Sequence, residues 1–506
     1  MFLLRRLVTM LVRNKRLLVI FTCLAFCLVL TFLMMTTNVN ISTEKTPPPL
    51  LIISYDGFRW DYLSRTPTPN FDRIIKNGVY ARRGLMNVFA TSTLTNHWSM
   101  VTGLYPESHG ILDNHFFDPV INGTYIPLYQ NWSAVNDRRF YDTGVEPIWV
   151  TNQLQKEYGR SGSIMWWGAE NVVKNTRPTH HMPYNLTIEH TYMIDTMVNW
   201  FTQESAINLG LLYFSEPDHT AHKFGPDSDN VTQMIHRVDE LTGYLFHQLS
   251  KNYLLDDMNI IITSDHGFAS SSKEHLIHLD NFIEPSWYTM IHYSPVAAIM
   301  PKAGKEDIIF EKLKAASADN HFTVYRKRDI PERLHYKNNI RTTPIIVVAD
   351  IKYNFITNMT DEKFKLAGNH GYDTAYEDMH PFFMAMGPSF KQGVQVETFH
   401  MLDLYPLMCK LLQLQPAPNN GSMDVVSQFL HDHQNSIWTI SAYILGLIVI
   451  TAIGGTFAVA TVWHHCQKRT FPEAGLGLSA ARVHSFKDVK AQYKLIPDEE
   501  ATDVGL

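Results

Sequence analysis

Three apolar runs in this chain each end at an aspartate: "PLLIISYDG" at Asp56, "INLGLLYFSEPD" at Asp218 and "MNIIITSDHG" at Asp265, which His266 follows. Short apolar runs that alternate with amphipathic stretches are the pattern of an α/β protein. One helix reads clearly after "GPDSDN", where Val231, Met234, Ile235, Val238, Leu241, Leu245 and Leu249 share a face. The expected fold is therefore a mostly parallel central sheet flanked by helices. Open sheets of this kind bind ligands just beyond the carboxyl ends of their strands. Three strands with these endings would bring three carboxylates to one edge. Each aspartate alone reads as a helix N-cap or turn residue. Three together, one beside a histidine, read as a site.

Two further histidines join the set. In "EPDHTAHKFG", Asp218 and His222 stand four residues apart, so a helix turns both toward one point, while His219 faces elsewhere. In "GNHGYD", His370 sits between glycines that let the backbone aim an imidazole. Asp56, Asp218, His222, Asp265, His266 and His370 offer oxygen and nitrogen, and no sulfur. Six ligands are too many for one four-coordinate zinc with an open position. They suit two metal ions, and a pair ~3.5–4 Å apart can clamp the attacking and leaving oxygens of an in-line displacement. Phosphoryl transfer also needs a nucleophile. The stretch "NVFATSTLTNHWSMVTG" crowds hydroxyls ahead of a helix expected to begin near Asn96. A hydroxyl near neutral pH attacks poorly unless a base or a metal activates it. Thr93 is the best placed of them, where free amides and the helix dipole favour an anion.

Bulk properties narrow the class. Net charge is −6 over 506 residues, which gives no basic groove for nucleic acid. Only Cys23, Cys27, Cys409 and Cys466 are present, so the middle of the chain holds neither a disulfide framework nor a cysteine zinc site. Two apolar segments set the expected topology. Leu17–Met35 and Ile437–Trp463 carry no charge and are flanked by arginine, lysine and histidine on their outer sides. About 20 apolar residues cross a bilayer as a helix, and basic flanks stay cytoplasmic. The division expected is a cytoplasmic N-terminus (1–16), a signal anchor or signal peptide (17–36), a Pro-rich linker (37–49) and a catalytic domain (50–414). A juxtamembrane linker (415–436), a transmembrane helix (437–463) and a cytoplasmic tail (464–506) follow. Seven sequons, at Asn40, Asn122, Asn131, Asn185, Asn230, Asn358 and Asn420, all lie between the apolar segments, as an extracellular or lumenal glycoprotein requires. In the tail, "YKLI" at Tyr493 has the form of an endocytic sorting signal for an adaptor.

The motifs "SYDGFRWDYL", "TSTLTNHWSMVTGLYPESHGILDN", "EPDHTAHKFGP", "TSDHG" and "GNHGYD", in this order, resemble the ectonucleotide pyrophosphatase/phosphodiesterases of the alkaline phosphatase superfamily. The short, membrane-anchored members are the most similar. The resemblance implies an alkaline phosphatase-like core, two zinc ions and a covalent phosphothreonine intermediate that water hydrolyses. It implies that Asp56, Thr93, Asp265 and His266 hold one zinc, and Asp218, His222 and His370 the other. Asn114, in "ILDNHF", would donate a hydrogen bond to a phosphate oxygen where charge builds up. His109 also matches a family motif and is read as structural.

The substrate pocket departs from the family. The usual T-K-T-(Phe/Tyr)-P-N-H is "TSTLTNH" here, so Ser92, Leu94 and Thr95 replace a lysine, a base-stacking aromatic and a proline. Loss of one stacking partner removes ~1–3 kcal/mol of binding. Tyr184 matches the second aromatic of the base pocket, and "WWGAE" keeps Trp166 and sets Glu170 at the acid. The expected activity is hydrolysis of phosphodiester or pyrophosphate bonds in extracellular nucleotides. The alternatives are a choline-type lipid phosphodiesterase, with Trp166, Trp167 and Glu170 around a cation, and a catalytically inactive receptor or adhesion ectodomain.

Overall fold

The strand ends expected to converge do lie side by side. The computed structural model describes residues 46–121, 123–125, 137–357 and 363–431. Its central sheet contains β1 (Leu50–Tyr55), β2 (Val79–Ala81), β3 (Ser161–Ile164), β4 (His180–Met182), β5 (Leu209–Phe214), β6 (Asn259–Thr263), β7 (Phe383–Met386) and β8 (Val394–Val396). The spatial order is β8-β2-β7-β6-β1-β5-β3-β4. Strands β6, β1, β5, β3 and β4 run parallel, and β7 is antiparallel to both neighbours. The sheet is mostly parallel, as the alternating pattern requires.

Every residue of β1, β5 and β6 is buried, because helices cover both faces. The helices of these layers are α1 (Pro69–Asn77), α2 (Thr93–Thr102), α3 (Ile148–Gln155), α4 (His190–Thr202), α5 (Asp218–Phe224), α6 (Asp229–Lys251) and α8 (Leu404–Leu411), while α7 (Glu306–Ala316) packs elsewhere. Successive residues of a strand point to opposite faces. Ser54 meets His97 of α2 at 2.8 Å, while Tyr55 meets Thr242 of α6 at 2.9 Å. Helices α2 and α6 therefore cover opposite sides. Helix α6 starts where Ser228 caps it by accepting the Val231 amide, and it buries Val231, Ile235, Val238, Leu245 and Leu249 of the expected face.

Two features go beyond the expected layout. Between His266 and His370 the chain builds a second, antiparallel sheet, in the order Tyr288–His292, Val296–Pro301, Ile345–Ala349 and Phe322–Arg326. It carries its own apolar core together with Ile309 and Leu313 of α7. The folded domain also continues past Leu414. Val426 and Phe429 are fully buried, and Leu430 bridges to Phe390. The segment expected to start a linker at residue 415 thus begins as part of the domain.

Among the described residues no helix is long and apolar enough to cross a membrane. The apolar segments 17–36 and 437–463, the tail with Tyr493, and Asn40, Asn122, Asn131 and Asn358 lie outside the described residues. Asn185, Asn230 and Asn420 are exposed.

Candidate active site

The aligned ends of the central strands build one half of the site. Tyr55 pairs with Phe214 and Ser54 with Thr263, so β1, β5 and β6 finish level. Asp56 follows β1 directly, Asp265 lies two residues past β6, and Asp218 opens α5 after a short loop. The Asp218 amide donates to the Asp56 carbonyl at 3.0 Å, which ties two of these ends together.

Their side chains converge with the histidines. His266 Nε2 is 3.4 Å from Asp56 Oδ1, 3.1 Å from Asp265 Oδ2 and 3.3 Å from Thr93 Oγ1. Asp218 Oδ1 is 3.4 Å from His222 Nε2 and 3.5 Å from His370 Nε2. Two clusters of ligand atoms, each within 4.8 Å, comprise Asp56, Asp265 and His266, and Asp218, His266 and His370. His266 belongs to both, because its ring stacks on that of His370 with centroids 3.5 Å apart. His222 lies at the rim of the second cluster. All six ligands expected from the sequence, and Thr93, are gathered in one place.

Orientation and charge state favour metal binding. His222, His266 and His370 each turn Nδ1 toward a backbone carbonyl, of Gly368, Gly267 and Thr91, at 3.0, 2.9 and 3.0 Å. With the proton on Nδ1, Nε2 offers its lone pair to the centre. Burial holds His222 down to about 4 and His266 and His370 well below the ordinary imidazole value. The rings are therefore neutral ligands at neutral pH. Burial, and then the charge of Asp265, push the carboxyls of Asp56 and Asp218 well above their usual range. Asp56 Oδ1, Asp218 Oδ1 and Asp265 Oδ2 are buried without a hydrogen-bond partner. Buried carboxylate oxygens left unpaired are costly. Three of them facing imidazole lone pairs fit divalent cations, and the mixed oxygen–nitrogen set suits zinc.

The supporting residues include two that sequence reasoning missed. Tyr213 of β5 donates its hydroxyl to Asp56 Oδ2. His97 sits one helical turn after Thr93 and is fully buried; its Nδ1 is 2.8 Å from the Thr93 carbonyl and 3.5 Å from Asp265 Oδ2. Its i, i+4 spacing from Thr93 was the available signal. For Tyr213 there was none beyond an aromatic in an apolar run.

Thr93 is the first residue of α2, which starts three residues before the expected position at Asn96. Asn96 does not cap the helix. Its Oδ1 accepts the Val88 amide, and its Nδ2 donates to the carbonyls of Ala90 and Ser92. The cross-links pull the chain into helical form earlier and set Thr93 Oγ1 against His266. Asn114 Oδ1 accepts the Leu94 amide at 3.0 Å, which holds its carboxamide beside Thr93.

A profile described as Type I phosphodiesterase / nucleotide pyrophosphatase matches residues 50–373. The human ectonucleotide pyrophosphatase/phosphodiesterase family member 5 is 43% identical over 78% of this chain and 81% of its own length. Human bis(5'-adenosyl)-triphosphatase ENPP4 is 39% identical over 81% of this chain and 89% of its own. The structure of inactive murine ectonucleotide pyrophosphatase / phosphodiesterase 5 in complex with AMP superposes with a TM-score of 0.72. It shares 42% identity and covers 76% of this chain and 100% of its own.

The chain belongs to the ectonucleotide pyrophosphatase/phosphodiesterase family. Its core is the alkaline phosphatase-like α/β fold of that family, and it is a hydrolase of the nucleotide pyrophosphatase/phosphodiesterase class, whose chemistry depends on metal.

Around this cluster, the residues expected to meet substrate divide into two groups. Leu94 and Trp166 are buried, at 3% and 1% exposure, and Trp166 packs edge-on against His97 with centroids 5.1 Å apart. Trp166 thus backs the site instead of lining a pocket. Its neighbour Trp167 stands 5.0 Å from the half-buried ring of Tyr184, and both approach Tyr213. Burial, then the charges of Asp56 and Asp218, raise the Tyr184 phenol. Burial also pushes the Glu170 carboxyl up to about 7.

Proposed function

We propose that this protein is a membrane-anchored, two-zinc ectoenzyme that hydrolyses phosphodiester or pyrophosphate bonds of extracellular nucleotides. The observation that carries the reading is the meeting of three unpartnered carboxylate oxygens, of Asp56, Asp218 and Asp265, with three aimed Nε2 atoms beside the Thr93 hydroxyl. Asp56, Asp265, His266 and Thr93 would hold one zinc, and Asp218, His222 and His370 the other. Bound there, the pair supplies positive charge that acidifies a hydroxyl and offsets the phosphoryl oxygens.

The chain's own groups do the rest. Thr93 Oγ1, having lost its proton, attacks phosphorus and the bond to the leaving oxygen breaks, which leaves a phosphothreonine. The Asn114 Nδ2 group, fixed through its Oδ1, donates to a non-bridging oxygen as charge builds up. Water then cleaves the phosphothreonine and restores the hydroxyl. The Trp167–Tyr184 pair offers one aromatic wall for a base, while Leu94 offers none opposite. A dinucleotide polyphosphate or a nucleoside monophosphate product fits the names of the relatives, a bis(5'-adenosyl)-triphosphatase and an AMP complex. The catalytic domain would face the extracellular space or a lumen, with Tyr493 in the cytoplasm for an adaptor.

The test is Thr93→Ala against wild type, with zinc measured in both. The expected result is two zinc ions per chain, with turnover of a nitrophenyl nucleotide present in wild type and abolished in the variant while its zinc is largely kept. An equally active variant would remove Thr93 as nucleophile. Preference for a choline phosphodiester in direct competition would select the lipid alternative. Two bound zinc ions with no turnover of any phosphodiester would select an inactive ectodomain.

A further inference from the structure

A buried acid–histidine pair lies next to Asn114 and outside the metal centre. Asp113, 3% exposed, accepts the Asn114 amide on Oδ1 at 2.6 Å. Its Oδ2 lies 3.2 Å from Nδ1 of His292, the last residue of a strand of the second sheet. The same Nδ1 lies 3.0 Å from the Val296 carbonyl, so His292 is held by its own sheet while it holds Asp113. His115, on the other side of Asn114, stacks its ring on His292 with centroids 5.5 Å apart and planes at 20°. The Asp113–Asn114–His115 turn is therefore gripped by one histidine of the second sheet.

We propose that Asp113 and His292 are positioning residues that aim the Asn114 carboxamide at the reacting phosphate, and that the second sheet takes part in catalysis through them. Asn114 is tied at two points, its amide to Asp113 and its Oδ1 to the Leu94 amide. The first point is anchored to the inserted sheet, and the second to the start of the helix that carries Thr93. An oxyanion donor works only when held before the charge develops, because reorganisation during the reaction forfeits the gain. The electrostatics agree: burial would raise the Asp113 carboxyl, but His292 and the Asn114 amide outweigh it and hold it below its usual value. A buried carboxylate that stays charged keeps a strong acceptor on the Asn114 amide.

The inference rests on the reading of Asn114 as the oxyanion donor, and a double-mutant cycle separates the two. The probe is the p-nitrophenyl ester of thymidine 5'-monophosphate, with kcat and KM measured for Asp113→Ala and His292→Gln in the wild-type and Asn114→Ala backgrounds. In the wild-type background each is expected to lower kcat by about 10- to 100-fold with little change in KM. In the Asn114→Ala background the same changes are expected to cost almost nothing more. Asp113→Asn, which keeps an oxygen acceptor for the Asn114 amide, should recover most of the loss. Equal losses in both backgrounds, or a fall explained by thermal unfolding of the variants, would overturn the positioning role while leaving Asn114 in place. An Asn114→Ala enzyme as active as wild type would overturn both.

Discussion

Asp56 uses its two carboxylate oxygens differently: Oδ2 accepts the Tyr213 hydroxyl, and Oδ1 faces His266 Nε2 at 3.4 Å with no hydrogen-bond partner. The phenol fixes which oxygen is left for a cation. Outer partners of this kind typically contribute 10- to 100-fold in metal affinity. Tyr213→Phe is therefore expected to weaken zinc binding by about 10-fold or more, measured by competition with a chelator of known affinity, and to leave the fold intact because the ring stays. Unchanged affinity would mean that Asp56 is oriented by packing alone. The contrast also shows what a single residue discloses in the sequence. Asp56, Asp218 and Asp265 were legible because a polar group ends each apolar run. Tyr213 was not, because an aromatic on a strand buried on both faces looks like core, and only the neighbouring strand reveals that its hydroxyl is used. Trp166 misled for the opposite reason: its motif marks the site, but its ring lies beneath the site.

The short helical turn Pro106–His109 beside α2 depends on one buried imidazole. His109 Nδ1 accepts the Ile111 amide at 3.0 Å, so the ring proton sits on Nε2, 2.8 Å from Ser99 Oγ on α2. A second proton would set Nδ1–H against N–H. Burial, helped by the Arg341 cation, pushes this histidine down from 6.5 to about 3. Between those values the unfolded chain binds a proton that the folded chain does not. Stability is thus unaffected above about pH 6.5 and falls as the pH drops from there toward 3, by about 1.4 kcal/mol per pH unit from this group. Denaturant unfolding of wild type and His109→Gln from pH 7 to pH 4 should give curves that diverge at about that slope; parallel curves would refute the assignment. At this scale the legible elements were those specified locally, such as α6 with its Ser228 cap and apolar face. The start of α2 was displaced because side-chain bonds from Asn96 back to Val88, Ala90 and Ser92 fix the preceding turn, which the cap pattern does not show. The second sheet, and the packing of Val426 and Phe429 after a Pro- and Asn-rich stretch, depend on distant partners and leave no local pattern.

Across the whole molecule, ligands drawn from Asp56 to His370 meet at one sheet edge, so the centre and the fold stand or fall together. The order of the motifs disclosed that convergence, because parallel neighbours with level ends place their following residues at one edge. Without cations the centre works against folding. Asp56 and Asp218 are raised by burial and by the charge of Asp265, so the unfolded chain sheds their protons more readily than the folded one. For acids whose folded values are raised, stability is fully present below the ordinary value of 3.8 and declines as the pH climbs toward the folded values. Bound metal reverses this, because it favours the deprotonated ligands and binds only the assembled site. At a free zinc concentration ~1,000 times its dissociation constant the gain is about 4 kcal/mol. Thermal unfolding with zinc and after chelation, at pH 5 to 8, should therefore show a Tm gap that widens with pH, and chelation should abolish turnover throughout. A constant gap would mean that the carboxylates do not change protonation over this range, and no gap at all would mean that these clusters are not a metal centre.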